Sequence, residues 1–174
     1  MYKRQRRGYE AALDALERLG PHVALVIAGG PQIERQASYL DALKANIESR
    51  GLQEQVIVTG YLPHELAAGA MRAADVVLCP QEAGTGSYTL QVALGYARPI
   101  VASDLPCFTY CERTHGCLLT FKRGNAEDLA TKINSVLADD AFRQGLSERA
   151  LAYAGEHTWA KVAERTVQIY EEVT

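Results

Sequence analysis

A chain of 174 residues with 48% hydrophobic and 22% charged side chains is long enough to bury one ordinary core, and it reads as a single domain over residues 1–174. Its longest apolar runs, residues 23–28 and 76–79, fall far short of the ~20 residues of a membrane span, and the basic start Met1-Tyr2-Lys3-Arg4-Gln5-Arg6-Arg7 is followed by no apolar segment, which excludes a secretory signal and predicts a cytoplasmic protein. The formal net charge is −3 and four of the 18 basic residues crowd that start, so the remainder is net acidic and no nucleic-acid surface is expected.

Residues 1–7 are too polar for a buried strand and read as a disordered or truncated basic segment. An amphipathic helix follows from about Gly8, with Leu13, Leu16 and Leu19 on one face and Gly20-Pro21 as its stop. The run Val23-Ala24-Leu25-Val26-Ile27-Ala28 reads as a strand and leads into Gly29-Gly30-Pro31. Leu40, Leu43 and Ile47 mark the next helix, which Gly51 ends. Val56-Ile57-Val58 reads as a second strand, followed by the turn Gly60-Tyr61-Leu62-Pro63. Val76-Val77-Leu78-Cys79 reads as a third, and a loop from Pro80 to Ser87 opens a helix that runs through Leu94. Pro99-Ile100-Val101-Ala102 and Cys117-Leu118-Leu119 complete the strands. Leu129, Ile133, Val136 and Leu137 share a helix capped by Asn125, and Val162, Thr166, Ile169, Tyr170 and Val173 share the last one, with Trp159 at its start expected to pack on the core.

Short continuous runs rich in β-branched residues suit parallel strands covered on both faces. Their alternation with helices predicts an α/β fold with a Rossmann-like, doubly wound parallel sheet. The strand that would ordinarily feed the first helix is missing, so the chain reads as the end of a longer polypeptide.

In such sheets ligands bind at the carboxyl ends of the strands, in the crevice between the following loops. Gly29-Gly30-Pro31 lacks the third glycine of a dinucleotide fingerprint, which disfavours an NAD site. The loop from Pro80 to Ser87 suits a phosphate better. Gly84 and Gly86 allow close backbone approach, Thr85 and Ser87 add hydroxyls, and the helix that starts there presents free N–H groups and the positive end of its dipole. The same residues also fit a plain helix entry with Ser87 as its cap. Cys79, Cys107, Cys111 and Cys117 have neither metal-ligand spacing nor disulfide density and read as reduced packing thiols. His22, His64, His115 and His157 are scattered, so no metal site is expected. Ser103, Asp104 and His115 lack the nucleophile elbow of a hydrolase and read as structural loop residues.

The order of Arg7-Gly8, residues 26–31, 58–62, 72–76, 80–94 and 98–104 resembles the carboxy-terminal, donor-binding domain of GT-B fold glycosyltransferases of the GT4 type, over roughly residues 7–172. The resemblance implies transfer of a hexose from a nucleotide diphosphate sugar, with retention, to an acceptor held by an amino-terminal domain that these residues do not include. It implies no metal or other cofactor, and a chain inactive by itself. Arg7 matches the basic residue placed against the donor diphosphate, where it would offset charge on the leaving nucleotide. Arg4 and Arg6 are weaker candidates for the same contact. Gly84, Thr85, Gly86 and Ser87 would hold the diphosphate, and Tyr61 and Leu62 would line the nucleoside pocket. A lipid acceptor would add a membrane surface as a partner.

This chain also departs from the pattern. The family carries two glutamates eight positions apart, whereas Gly84 and Val92 occupy those places. Glu82, two residues early, is the candidate to reach the donor sugar in a catalytic role, and Gln91 is the candidate for the lost ribose contact. Two other classes therefore stay open: half of a GT-B-like nucleotide-sugar epimerase, and a non-catalytic Rossmann-like module that binds a nucleotide.

Overall fold

The computed structural model describes residues 7–30 and 37–173, apart from the side chain of Ala37; Arg4, Arg6 and Pro31 lie outside the described residues. The elements run α1 (Tyr9–Leu19), β1 (Leu25–Ala28), α2 (Ala37–Ser49), β2 (Val56–Gly60), α3 (His64–Ala73), β3 (Val77–Cys79), α4 (Tyr88–Gly95), β4 (Ile100–Ser103), α5 (Pro106–His115), β5 (Leu119–Phe121), α6 (Ala126–Ala138), α7 (Asp140–Glu156) and α8 (Trp159–Glu172). Among the described residues each ladder between strands is parallel, as expected for strands joined by helical crossovers.

Among the described residues the strands form two groups, β1-β2 and β3-β4-β5, with no ladder between them. Hydrophobic packing of α1 joins the groups. Leu13 and Leu16 pack with Ile27, Leu43, Ile47 and Val56 on the first group. Ala15 and Leu19 pack with Val101, Phe121, Leu129 and Val136 on the second. A fully buried leucine contributes roughly 2 kcal/mol, so α1 supplies several kcal/mol of adhesion across the gap. Arg50, just past α2, strengthens this corner by donating to Asp14 of α1 with Glu17 3.5 Å away. A third cluster under α4 and α5 centres on Leu94, Ile100, Phe108 and Leu118.

Coverage of both faces, expected of all the strands, is met in β4, whose four residues are all buried. It fails in β1 and β2, where the cross-strand pair Val26 and Ile57 is 47% and 53% exposed. The crossover helix α3 buries none of its residues, so it shields neither. The last strand pairs through Leu119, Thr120 and Phe121, two residues later than the run 117–119 suggests; Cys117 and Leu118 are buried but precede the ladder. Trp159 is also a correction: it is 88% exposed, and α8 buries no residue. Asn125 and Thr158 cap α6 and α8 by accepting from Asp128 N and Lys161 N.

One backbone contact fixes where α1 begins. Gly8 has φ 70°, and a Cβ built on it would lie 1.8 Å from the Pro80 carbonyl oxygen. The helix therefore starts directly against the loop that follows β3. Gly51 has a similar φ of 68° with nothing within 4 Å, which makes it an internal reference. Gly51→Ala should cost only the left-handed backbone penalty of about 1–2 kcal/mol. Gly8→Ala should cost clearly more in a thermal melt, because the loop or the helix must also move. Equal costs would remove the close approach as a structural constraint.

Candidate functional site

The loops at the carboxyl ends of the strands meet where α1 and α4 begin. Ser87 caps α4: its Oγ accepts from Leu90 N at 3.2 Å and from Gln81 Nε2 at 3.1 Å. Ser103, buried at the end of β4, donates its hydroxyl to the Gln81 carbonyl oxygen. The turn is thereby pinned from inside, and the Gln81 Oε1 atom is left buried without a partner. Burial pushes the Cys79 thiol up to about 11, against the opposing effect of its hydrogen bond with Ser87. It stays a neutral packing thiol at the foot of the loop.

The loop's outer side is open. Among the described residues no acceptor is bonded to the N–H groups of Gly84, Thr85, Gly86 or Ser87. A methyl group at Gly86 would meet nothing within 4 Å, and one at Gly84 only the Gly86 carbonyl oxygen at 3.6 Å. Free N–H groups at the positive end of a helix are the chemistry that an anion would meet. The Ser87 hydroxyl, expected to face a diphosphate, is engaged in the cap and the Cys79 contact, which leaves its backbone N–H as the free donor. Gln91, one turn on, is exposed and makes no side-chain hydrogen bond among the described residues. Arg7 is exposed and precedes Gly8, so the Gly8–Pro80 contact holds it beside the same loop.

Glu82 faces a cleft of about 350 Å³ lined also by Asp104, Lys122, Arg123 and Gly124. Arg123 ties three loops together. Its Nε donates to Asp104 Oδ1 at 2.8 Å, its backbone N–H to the same oxygen at 3.2 Å, and its guanidinium to the Glu82 carbonyl at 3.1 Å. No pattern in the sequence marks Asp104, Lys122 and Arg123 as partners, since their meeting joins segments far apart in the chain. Tyr61 is 63% exposed with its ring against Gly30, 3.1 Å from where that residue's Cβ would lie. Leu62 is half-buried beside it. The glycine-rich end of β1 and the turn after β2 thus make one ledge, closed by the Gly29–Gly60 bridge.

The scattered histidines partly meet. His115, Tyr153 and His157 pack ring to ring, with centroids 4.7 Å apart for the first pair and 4.0 Å for the second, at the ends of α5 and α7. No group of three His, Cys, Asp or Glu among the described residues is arranged to hold a metal, and no helix among them is long and apolar enough to cross a membrane.

Parallel strands with glycine loops at their carboxyl ends and a free helix N-terminus define an α/β domain of the GT-B type, and solved structures carry the same architecture. Sucrose-phosphate synthase from Thermosynechococcus elongatus superposes with a TM-score of 0.85 at 23% identity, over 97% of this chain and 43% of that one. Anabaena HepE, solved in complex with UDP, superposes with a TM-score of 0.83 at 21% identity, over 96% and 45%. The sequence profile of the family Glycosyl transferases group 1 matches residues 2–153, and the chain belongs to that family. The phosphatidyl-myo-inositol mannosyltransferase of Mycobacterium leprae is 27% identical over 99% of this chain and 45% of its own length. The D-inositol 3-phosphate glycosyltransferase of Nocardia farcinica is 26% identical over 92% and 36%. The chain spans less than half the length of these curated relatives.

The Arg123 contacts are solvent-accessible, so their worth lies in positioning more than in stability. Arg123→Met should change the global unfolding free energy by less than about 1 kcal/mol. Amide exchange at residues 81–87 should accelerate severalfold. Unchanged exchange there would deny Arg123 its hold on the loop.

Proposed function

We propose that this chain is the donor half of a retaining glycosyltransferase, holding a nucleotide diphosphate sugar while an amino-terminal domain of the same protein presents the acceptor. The observation that carries the reading is the set of free N–H groups from Gly84 to Ser87 ahead of α4, in the loop whose first residue, Pro80, Gly8 rests on, with Arg7 next to Gly8 in the chain. A diphosphate seated there meets fixed dipoles and a cation. As the bond from sugar to phosphate breaks, negative charge grows on the leaving nucleotide, and groups already aimed at it stabilise that charge without reorganising. No metal is required for this, since Arg7 and the α4 dipole supply the positive field.

Glu82, on the wall of the adjoining cleft, faces the donor sugar, and Tyr61, Leu62 and Gln91 take the nucleoside. With Val92 half-buried in α4 where the family has its ribose glutamate, Gln91 offers an amide in place of a carboxylate. Selection among bases then falls to the Tyr61 ledge. UDP in the HepE structure supports the nucleotide reading. The phosphatidylinositol in the mycobacterial relative's name supports an acceptor at a membrane surface.

Calorimetry with UDP-, GDP- and ADP-sugars tests the reading, which requires measurable binding of at least one and fails if none binds. Arg7→Ala should weaken the preferred nucleotide diphosphate about tenfold or more, the range of a charge-assisted hydrogen bond. The corresponding nucleoside should bind unchanged. Equal effects on both would remove Arg7 from the phosphates.

A further inference from the structure

Two buried side-chain polar atoms among the described residues have no hydrogen-bond partner. One is Gln81 Oε1, under the loop. The other is the hydroxyl of Tyr39, in the first turn of α2, a residue to which neither the sequence pattern nor the reading above gives a role. Its ring stacks on Tyr9, with centroids 6.2 Å apart and planes at 27°, and Tyr9 follows Gly8 at the head of α1. Arg7, Glu10 and Glu82 are the charges the hydroxyl feels. They come from the residue before Gly8, the first turn of α1 and the wall of the cleft.

An orphaned phenol is costly. A buried hydroxyl without a partner forfeits its hydration with nothing in return, and native structures hold few such atoms. Phenylalanine would fill the same space at no such cost. Burial and the carboxylates of Glu10 and Glu82 hold the phenol far above its ordinary pKa against the pull of Arg7, so it keeps its proton and acts as a donor. A donor at this position seeks an oxygen acceptor, and the group that Arg7 and the α4 N–H groups attract is a phosphate.

We propose that the Tyr39 hydroxyl donates a hydrogen bond to a non-bridging oxygen of a bound nucleotide diphosphate, opposite the α4 donors. The proposal rests on the donor-site reading above. It adds α2 as a third wall of the diphosphate pocket, supplying a neutral donor where Arg7 supplies charge. It also makes Tyr39 a residue kept for binding at the expense of stability.

The test is Tyr39→Phe, read by calorimetry with UDP, GDP and ADP and the matching nucleosides, and by a thermal melt without ligand. The expected result is a loss of about tenfold or more in affinity for the preferred diphosphate. Nucleoside affinity should not change, and the melting temperature should stay the same or rise. Unchanged diphosphate affinity would overturn the proposal while leaving the donor-site reading intact. So would an equal loss for nucleoside and diphosphate, or a lower melting temperature, which would mean that the hydroxyl has a partner within the protein. Failure of the unsubstituted chain to bind any of the three diphosphates would overturn both.

Discussion

The packing of α1 between two groups of strands is the constraint on which the rest of the structure depends. Backbone hydrogen bonds hold β1 to β2 and β3 to β4 to β5, but none of them crosses from one group to the other among the described residues. The crossing is made by side chains. Leu13 and Leu16 face one group and Ala15 and Leu19 face the other, which takes apolar residues at adjacent positions on a wide stripe. Hydrophobic burial is non-directional, so by itself it would let the helix slide. Direction comes from its first turn, where the absence of a side chain at Gly8 lets the backbone rest on the Pro80 carbonyl. One glycine thereby converts a packing interaction into a defined distance between Arg7 and the loop that opens α4.

The loop is held in turn by groups of different character. Inside, Ser103 and the Ser87–Gln81 pair form a buried polar chain with short reach and fixed geometry. Outside, Arg123 spans Asp104 and the Glu82 carbonyl in contact with solvent. Apart from the unpaired Gln81 Oε1, the groups of the inner set leave water for one another. The outer set is worth little to folding and restricts only where the Glu82 backbone lies. Between them, the N–H groups of Gly84 to Ser87 have no acceptor among the described residues, which leaves them available to a ligand.

Much of this was legible in the sequence, and the exceptions have physical causes. Helices α1, α2 and α6 carry leucines or isoleucines at helical spacing, and each is where that spacing predicts. Helices α3, α5 and α7 escaped because periodicity requires apolar anchors. Among these, α3 buries nothing, while α5 and α7 bury two residues apiece. Strand β5 starts later than the apolar run suggests because burial does not require pairing: Cys117 and Leu118 are as buried as any strand residue, but the ladder starts with the next residue. At the site, the loop and its helix could be read from glycines and a capping serine that are neighbours in the chain. The Gly8–Pro80 contact, the Arg123 tie and the unpaired hydroxyl of Tyr39 could not, because each is a property of residues that meet only after folding.

The last helix has a spectroscopic consequence. Trp159 is the chain's single tryptophan, and it stands 88% exposed at the head of a helix that buries no residue of its own. Its emission is therefore already that of an indole in water, and it reports on the solvation of α8, not on the packing of Leu94, Ile100 or Phe108. An unfolding curve followed by tryptophan fluorescence would follow one peripheral helix, and loss of the parallel strands and their core could pass without a change in signal. Any quenching or blue shift of that emission would instead announce that something had come to lie against α8.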